Sequence, residues 1–363
     1  MESKDTKKRF EAEALPEDSL RRNKRLKRVP LGPQAVSTMV KHVSIQNFKS
    51  IKNLEFEARR VNVFIGEPNT GKSNILEGLS IFGLDHRHYK GYKDFFRFAN
   101  LVNLFFENNP TKPVLIKIDE TDGQIRQEYG GYAIEISDYY TPTLFRIFLK
   151  EEESVLFSDT NFATYNLKFY RFRVPEKFRT QFSEYLLPPF GENLPNVLNS
   201  NDKLRDILSD FIKTFNYDLL VEPDTNSIRM VQSIKKGIIL SYPYHSLSDT
   251  LQRIIFYFSA IETNKDSILL FEEPEANTFP YYTKQLAERI AADESNQYFL
   301  VTHNPYFLNS LVQQTRIEDL NVFVTYMEDY QTKVRALSED DFSKILDLDK
   351  EVFYNLDILG QNA

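Results

Sequence analysis

The sequence predicts an α/β fold built around a parallel sheet, and three observations predict it. Short apolar runs of strand length, "VNVFI" from Val61, "SILLF" from Ser267 and "QYFLV" from Gln297, are each followed by a polar loop and a stretch at helical spacing. Between the first and the second lies a long irregular region, rich in Phe and Tyr and punctuated by proline. With 363 residues and 41% hydrophobic content, the chain can bury one large core or two moderate ones.

Composition removes several classes. The absence of cysteine excludes disulfides, a thiolate nucleophile and Cys-ligated metal, which fits a reducing cytosol. No window approaches the ~18 apolar residues of a spanning helix, and the N-terminus lacks a secretory apolar core. The expected location is cytoplasmic, with no membrane partner. A net charge of −7 argues against coating nucleic acid with the whole surface, while a local basic patch stays open.

The elements follow in order. Residues 1–38 are charged and apolar-poor, with "RRNKRLKR" at Arg21–Arg28, and read as a flexible tail. That tail is open to two readings: a nucleic-acid contact or localisation signal, or else a solvated leader or an upstream start with Met39 as the natural first residue. From Val40, "VKHVSIQNFKSI", "KNLEFEA" and "RRVNVFIG" give three strands, and "KSNILEGLSIFG" then places Ile75, Leu76, Leu79 and Phe82 on one helical face. In 84–239, "PVLIKIDE", "YGGYAIEIS" and "NLKFYRFRV" read as strands and "NDKLRDILSDFIKTF" as a helix, while the prolines exclude a long coiled coil. After residue 240, "TLQRIIFYFSAIET" and "YYTKQLAERIAADE" read as helices, and "NVFVTYMEDYQTKVRAL" as a hairpin at the sheet edge. The expected organisation is a split domain, 39–83 with 240–363, interrupted by an α/β insertion at 84–239.

The chemistry sits at the ends of the three apolar runs. In "GEPNTGKS", Gly66, Gly71, Lys72 and Ser73 satisfy G-x-x-x-x-G-K-[ST] between a strand and a helix. The glycines let successive N–H groups face a phosphate, Lys72 reaches the outer phosphates, and the Ser73 hydroxyl ligates Mg²⁺. Glu67, Pro68, Asn69, Thr70 and Asn74 complete the expected nucleotide-binding stretch. "SILLFEEPE" ends in Glu272, placed to hold Mg²⁺ through water, and Glu273, placed to polarise an attacking water. "YFLVTHNPYF" puts His303 at another strand end, where its ring can bond a γ-phosphate or that water. In "HSLSDTLQR", Ser248 precedes a helix that Asp249 can cap, with free amides as an anion site.

Taken together, "VSIQNFKSIKNLEF", "FIGEPNTGKSNILEGL", "HSLSDTLQR", "LLFEEPEANTFP" and "LVTHNPYFL" resemble the ABC-type AAA family ATPases of the SMC, RecF and OLD group. The resemblance covers residues 40–83 and 240–330 well and the middle poorly. It implies an α/β P-loop NTPase of ABC/RecF-like type: a mixed sheet with flanking helices and an insertion between Walker A and the signature. It also implies ATP and Mg²⁺ as cofactors, with Gly66–Ser73 as Walker A, Glu272 as Walker B, Glu273 as catalytic glutamate and His303 as switch histidine. Ser248 would bind the γ-phosphate of ATP held by a second copy of the chain, and Lys49, in the "NFKSI" hairpin, would lie near the nucleotide.

This chain departs from the family at named places. Walker B has Glu272 where aspartate is usual, the signature lacks its glycine, Asn277 replaces a frequent histidine, and no motif places the Q-loop glutamine. The stretch after His303 is too short for the Toprim domain of OLD nucleases, and the D-x-D of Asp347 and Asp349 reads as an acidic helix edge. The expected function is a compact ATPase that dimerises around ATP, the sensor or motor of a bacterial DNA-maintenance or anti-phage assembly with a separate effector. The alternatives are a nucleotide-gated scaffold with negligible turnover and a RecF-like clamp that binds DNA.

Overall fold

The structure is a computed structural model that describes residues 39–84, 92–138, 145–149, 154–156, 165–181 and 183–359. The tail reading of residues 1–38, with its basic run, falls outside these residues. The N-terminal apolar runs form β1 (His42–Phe48), β2 (Ile51–Glu57) and β3 (Val61–Ile65), and α1 (Lys72–Leu79) follows the glycine loop. The middle of the chain supplies β4 (Val114–Ile118), β5 (Thr121–Glu128), β6 (Gly131–Asp138), β7 (Phe145–Leu149), β8 (Ser154–Leu156) and β9 (Leu167–Tyr170). After them come α2 (Leu194–Ser200), α3 (Asp202–Lys213), β10 (Asp218–Glu222), β11 (Ser227–Lys235) and β12 (Ile238–Pro243). The C-terminal part contains α4 (Asp249–Glu262), β13 (Ile268–Glu272), α5 (Pro280–Ala292), β14 (Gln297–Val301), α6 (Pro305–Gln314), β15 (Leu320–Glu328), β16 (Gln331–Ala336) and α7 (Glu339–Leu348).

Six strands make the sheet that carries the glycine loop after β3, in the order β16-β15-β3-β14-β13-β9. All its pairings are parallel except β15 with β16, which is the hairpin expected at the edge. Successive side chains of a strand point to opposite faces, so a sheet covered on both sides reads as a continuous apolar run. The run at β3 is sorted in this way: Val61, Val63 and Ile65 join one core with α4, α5 and α6, while Phe64 joins a second core with α1. β13 and β14 divide likewise, Leu269, Phe271, Tyr298 and Leu300 to the first core and Ile268, Leu270, Phe299 and Val301 to the second.

The second core is closed by a seven-stranded antiparallel sheet, β2-β1-β4-β5-β6-β7-β8. Helix α1 lies between the two sheets, with Ile75, Leu76 and Leu79 buried. A three-stranded sheet, β10-β11-β12, packs Ile228 and Met230 into the first core. Thus the stretch 84–239 contributes strands to both large sheets, and β9 is a direct neighbour of β13. The chain leaves β3 for the far edge at β9, returns through β13 and β14, and finishes on the other side at β15. The loop after β3 therefore stands where the strand order reverses, which is where open α/β sheets bind ligands. Asp347 lies on the exposed side of α7 and Asp349 ends that helix, where it accepts from Asn309 at 2.9 Å. No helix among the described residues is long and apolar enough to cross a membrane.

Candidate nucleotide site

The loop Gly66–Ser73 connects β3 to α1 and is fixed from outside by the β15–β16 hairpin. Gly66 has φ +147, and a Cβ there would stand 2.2 Å from the carbonyl oxygen of Thr325. Gly71 has φ +93, and a Cβ there would stand 2.0 Å from the Thr332 hydroxyl oxygen. Both glycines are thus required by conformation and by space. Thr332 donates to the Thr70 carbonyl at 2.9 Å and shares a 2.7 Å bond with the Ser50 hydroxyl. Asn74 in turn donates to Ser50 at 2.8 Å. The "NFKSI" turn and β16 therefore hold the loop together, and neither Ser50 nor Thr332 carried a sequence signal of its own.

Within the loop, Lys72 is buried and its ammonium bonds the carbonyls of Gly66 at 3.0 Å and Glu67 at 2.6 Å. Burial lowers its pKa to about 8, against the opposing pull of Glu273 and Glu67. Helix α1 starts without a side-chain cap and without an acidic residue in its first turn. Its N-terminus thus presents uncapped N–H groups and the positive dipole end, which together favour an anion. Glu67, Pro68 and Asn69 are exposed at the mouth.

Glu273 and His303 meet beside this loop. The N–H of Glu273 donates to the Val301 carbonyl at 2.9 Å, and its side chain lies 3.6 Å from His303 Nε2. Glu273 has φ 45°, a left-handed conformation of the kind that gathers at functional sites. Burial and the Lys72 charge push the His303 pKa below its ordinary value, with Glu273 opposing. The ring is therefore neutral at neutral pH and can act as donor or acceptor.

Glu272 has a different setting. One carboxylate oxygen accepts from Arg97 at 3.1 Å and the other from Arg171 at 3.0 Å. The same two arginines reach back to Glu77 of α1, a fully buried carboxylate that also binds Lys49. Burial alone would raise the Glu77 pKa, but Lys49, Arg97 and Arg171 outweigh it and hold it below the usual range. Lys49 is therefore spent on Glu77 and on the Arg97 carbonyl at 2.7 Å. Arg171 directly follows β9, the strand next to β13. Glu77, Arg97 and Arg171 were not singled out from sequence; a glutamate on the apolar face between Leu76 and Gly78 was the available signal for the first.

The residues fit a magnesium ion in a limited way. Among the described residues no three acidic or histidine side chains cluster as a metal cage. Mg²⁺ instead typically takes one or two protein oxygens and completes its shell with phosphates and water. Ser73 offers a hydroxyl, and Glu272 keeps lone pairs for an outer-sphere role, each of its oxygens having one partner.

The signature segment requires one correction. Ser248, not Asp249, caps α4: its hydroxyl accepts from the Leu251 N–H at 3.4 Å, while Asp249 pairs with Arg253 at 2.8 Å. Ser248 is exposed, and Thr250 donates to the Asn277 carbonyl at 3.2 Å, which ties the helix start to the turn after β13. Among the described residues no hydrogen bond joins Ser248 to the phosphate loop of the same chain.

A phosphate loop at the switch point of a mainly parallel sheet, with a carboxylate and a histidine at the neighbouring strand ends, defines a P-loop ATPase domain. The family described as "AAA domain, putative AbiEii toxin, Type IV TA system" matches residues 61–309, more than half of the chain, and the chain belongs to it. No curated protein matches. Three solved structures are similar at 13% identity. An SMC head bound to the C-winged helix domain of ScpA has a TM-score of 0.48, covering 84% of this chain and 99% of that one. The SMC head domain from Thermotoga maritima has 0.42, covering 82% and 99%. The Pyrococcus furiosus Smc head with an extended coiled coil, bound to the C-terminal domain of ScpA, has 0.45, covering 85% and 98%.

Proposed function

We propose that the chain binds and hydrolyses ATP with Mg²⁺, and that two copies close head to head around the nucleotide. The observation that carries this reading is the convergence of Lys72, Glu273 and His303 at one sheet edge, with Glu273 and His303 3.6 Å apart. Lys72 and the α1 N-terminus hold the phosphates, Glu273 orients and polarises water, and neutral His303 bonds the terminal phosphate or that water. Mg²⁺, held by Ser73 and through water by Glu272, would supply charge neutralisation on the phosphates. Exposed Ser248 would complete the site of the other copy.

A cytoplasmic sensor or motor role beside a separate effector, in bacterial DNA maintenance or phage defence, goes with this reading. The family's link to a toxin of a type IV toxin–antitoxin system supports the defence side of this role. A second reading, a nucleotide-gated scaffold with negligible turnover, is favoured by the two arginines on Glu272. Steady-state phosphate release separates the two. Wild type well above Glu273→Gln supports hydrolysis, and equal rates overturn it in favour of the scaffold.

A further inference from the structure

The turn after β13 carries a third carboxylate that the proposed chemistry does not use. Glu275 is 3% exposed, and one of its oxygens accepts from the Thr302 hydroxyl at the end of β14. Its other oxygen, Oε2, is buried with no hydrogen-bond partner among the described residues. The backbone N–H groups of Glu275 and His303 also approach this carboxylate without reaching hydrogen-bond geometry at Oε2, and a fully buried carboxylate is costly, so its place in the fold calls for a reason.

The connections on both sides supply one. Glu275 is two residues beyond Glu273, across Pro274, and the Ala276 N–H closes this turn onto the Glu273 carbonyl at 3.1 Å. Thr302 is the residue before His303. While donating to Glu275, its hydroxyl accepts from the Asn304 N–H at 3.0 Å, and Asn304 caps α6 through the Phe307 N–H at 3.1 Å. The Glu275–Thr302 bond therefore closes a ring whose far side is the Glu273–His303 contact. The backbone bond from Glu273 to Val301 fixes where the two loops start, but it leaves the side-chain approach to the loops themselves.

We propose that Glu275 is a positioning residue, whose buried carboxyl group clasps the Thr302–Asn304 loop to the turn after β13 and thereby holds His303 against Glu273. The role rests on the ATP site proposed above, but the clasp is a property of the two loops and can be read without turnover. Burial pushes the Glu275 pKa up to about 7; the Thr302 hydroxyl opposes this and the Glu273 charge adds to it. The ionisable groups around it are Glu273 on its own turn and Tyr257 on α4, whose phenol burial holds above its ordinary value, while His303 on the opposite loop faces it with its backbone N–H.

The test uses the full chain with Glu275→Ala, Glu275→Gln and Thr302→Val. NMR titration of the five histidines in wild type and variants isolates His303, its signal assigned by His303→Gln. Loss of the clasp should displace the His303 midpoint by about half a unit or more in Glu275→Ala and Thr302→Val, because the Glu273 charge is no longer held beside it. Affinity for a fluorescent ATP analogue should stay within about twofold, and kcat should fall about tenfold with KM little changed. Glu275→Gln, which can still accept from Thr302, should restore most of both losses.

An unchanged His303 midpoint in folded Thr302→Val and Glu275→Ala would overturn the clasp. So would a loss of nucleotide affinity parallel to the loss of turnover, which marks general damage. If Glu275→Ala does not fold, the near-isosteric Thr302→Val decides. If wild type itself shows no turnover, the ATPase reading fails, and the His303 midpoint still decides the clasp.

Discussion

Glu77 and Glu272, from helix α1 and strand β13, are bridged twice, by Arg97 and by Arg171. The bridge ties the helix that follows the phosphate loop to the carboxylate expected to serve the metal. Replacing Glu77 by Ala should leave the largely buried Lys49 without its carboxylate partner and Arg171 with Glu272 alone. Removing one partner of a buried ion cluster costs about 3 kcal/mol, and chemical denaturation should show that loss. A change under about 0.5 kcal/mol would mean that water replaces Glu77 at no cost.

Lys72 provides a pH signature. Its folded pKa is lowered to about 8 from 10.5, so the unfolded chain holds more protons between those values. By linkage this group makes the nucleotide-free protein more stable as pH rises through that window. The proposed phosphate contact uses the charged ammonium, so ATP affinity should fall as pH rises above about 8. Titrating affinity between pH 7 and 9.5 checks this, and Lys72→Met should bind weakly with that slope gone. A wild-type slope that persists in the variant would assign it to another group.

His303 and Glu273 should differ in their kinetic consequences. Glu273→Gln removes the group proposed to polarise water, and should lower kcat about 100-fold while nucleotide affinity holds. The lowered His303 pKa places an acid limb of the kcat/KM profile below the ordinary histidine range, where the ring gains its proton. That limb should disappear in His303→Gln; its survival would point to another group.

Gly66 of the phosphate loop and Gly130 of the β5–β6 turn give a steric contrast. Gly66→Ala drives a Cβ to 2.2 Å from a backbone carbonyl, so nucleotide binding should be lost together with stability. Gly130, also at positive φ, has nothing within 4 Å of a Cβ position. Gly130→Ala should cost only the left-handed strain of about 1 kcal/mol and leave binding intact. Thermal melts with and without ATP separate the two.

Much of this architecture was legible because apolar runs and glycine loops are local signals. The runs at β3, β13 and β14, the loop Gly66–Ser73 and the hairpin at β15–β16 were read in place. The order of the six-stranded sheet was not, since strand neighbours are set by pairing distant in sequence. "NLKFYRFRV" read as a strand, but its seat beside β13, which delivers Arg171 to Glu272, could not be seen. β5 escaped notice because its buried side is only Thr121, Gly123 and Ile125. β12 escaped because Ile238–Ser241 are all exposed, which removes any alternation. At α4 the cap went to Asp249, whereas the extended backbone of Ser248 makes it the cap and leaves Asp249 to Arg253.

The central claim, that this site is half of an ATP-bound pair, is tested most directly by light scattering of Glu273→Gln with and without Mg²⁺ and ATP. The chain mass is 42.6 kDa. The expected result is one chain without nucleotide and two with it, the pairing abolished when exposed Ser248 is replaced by Arg. The mass of a single chain under both conditions, in protein that binds ATP, would contradict the claim.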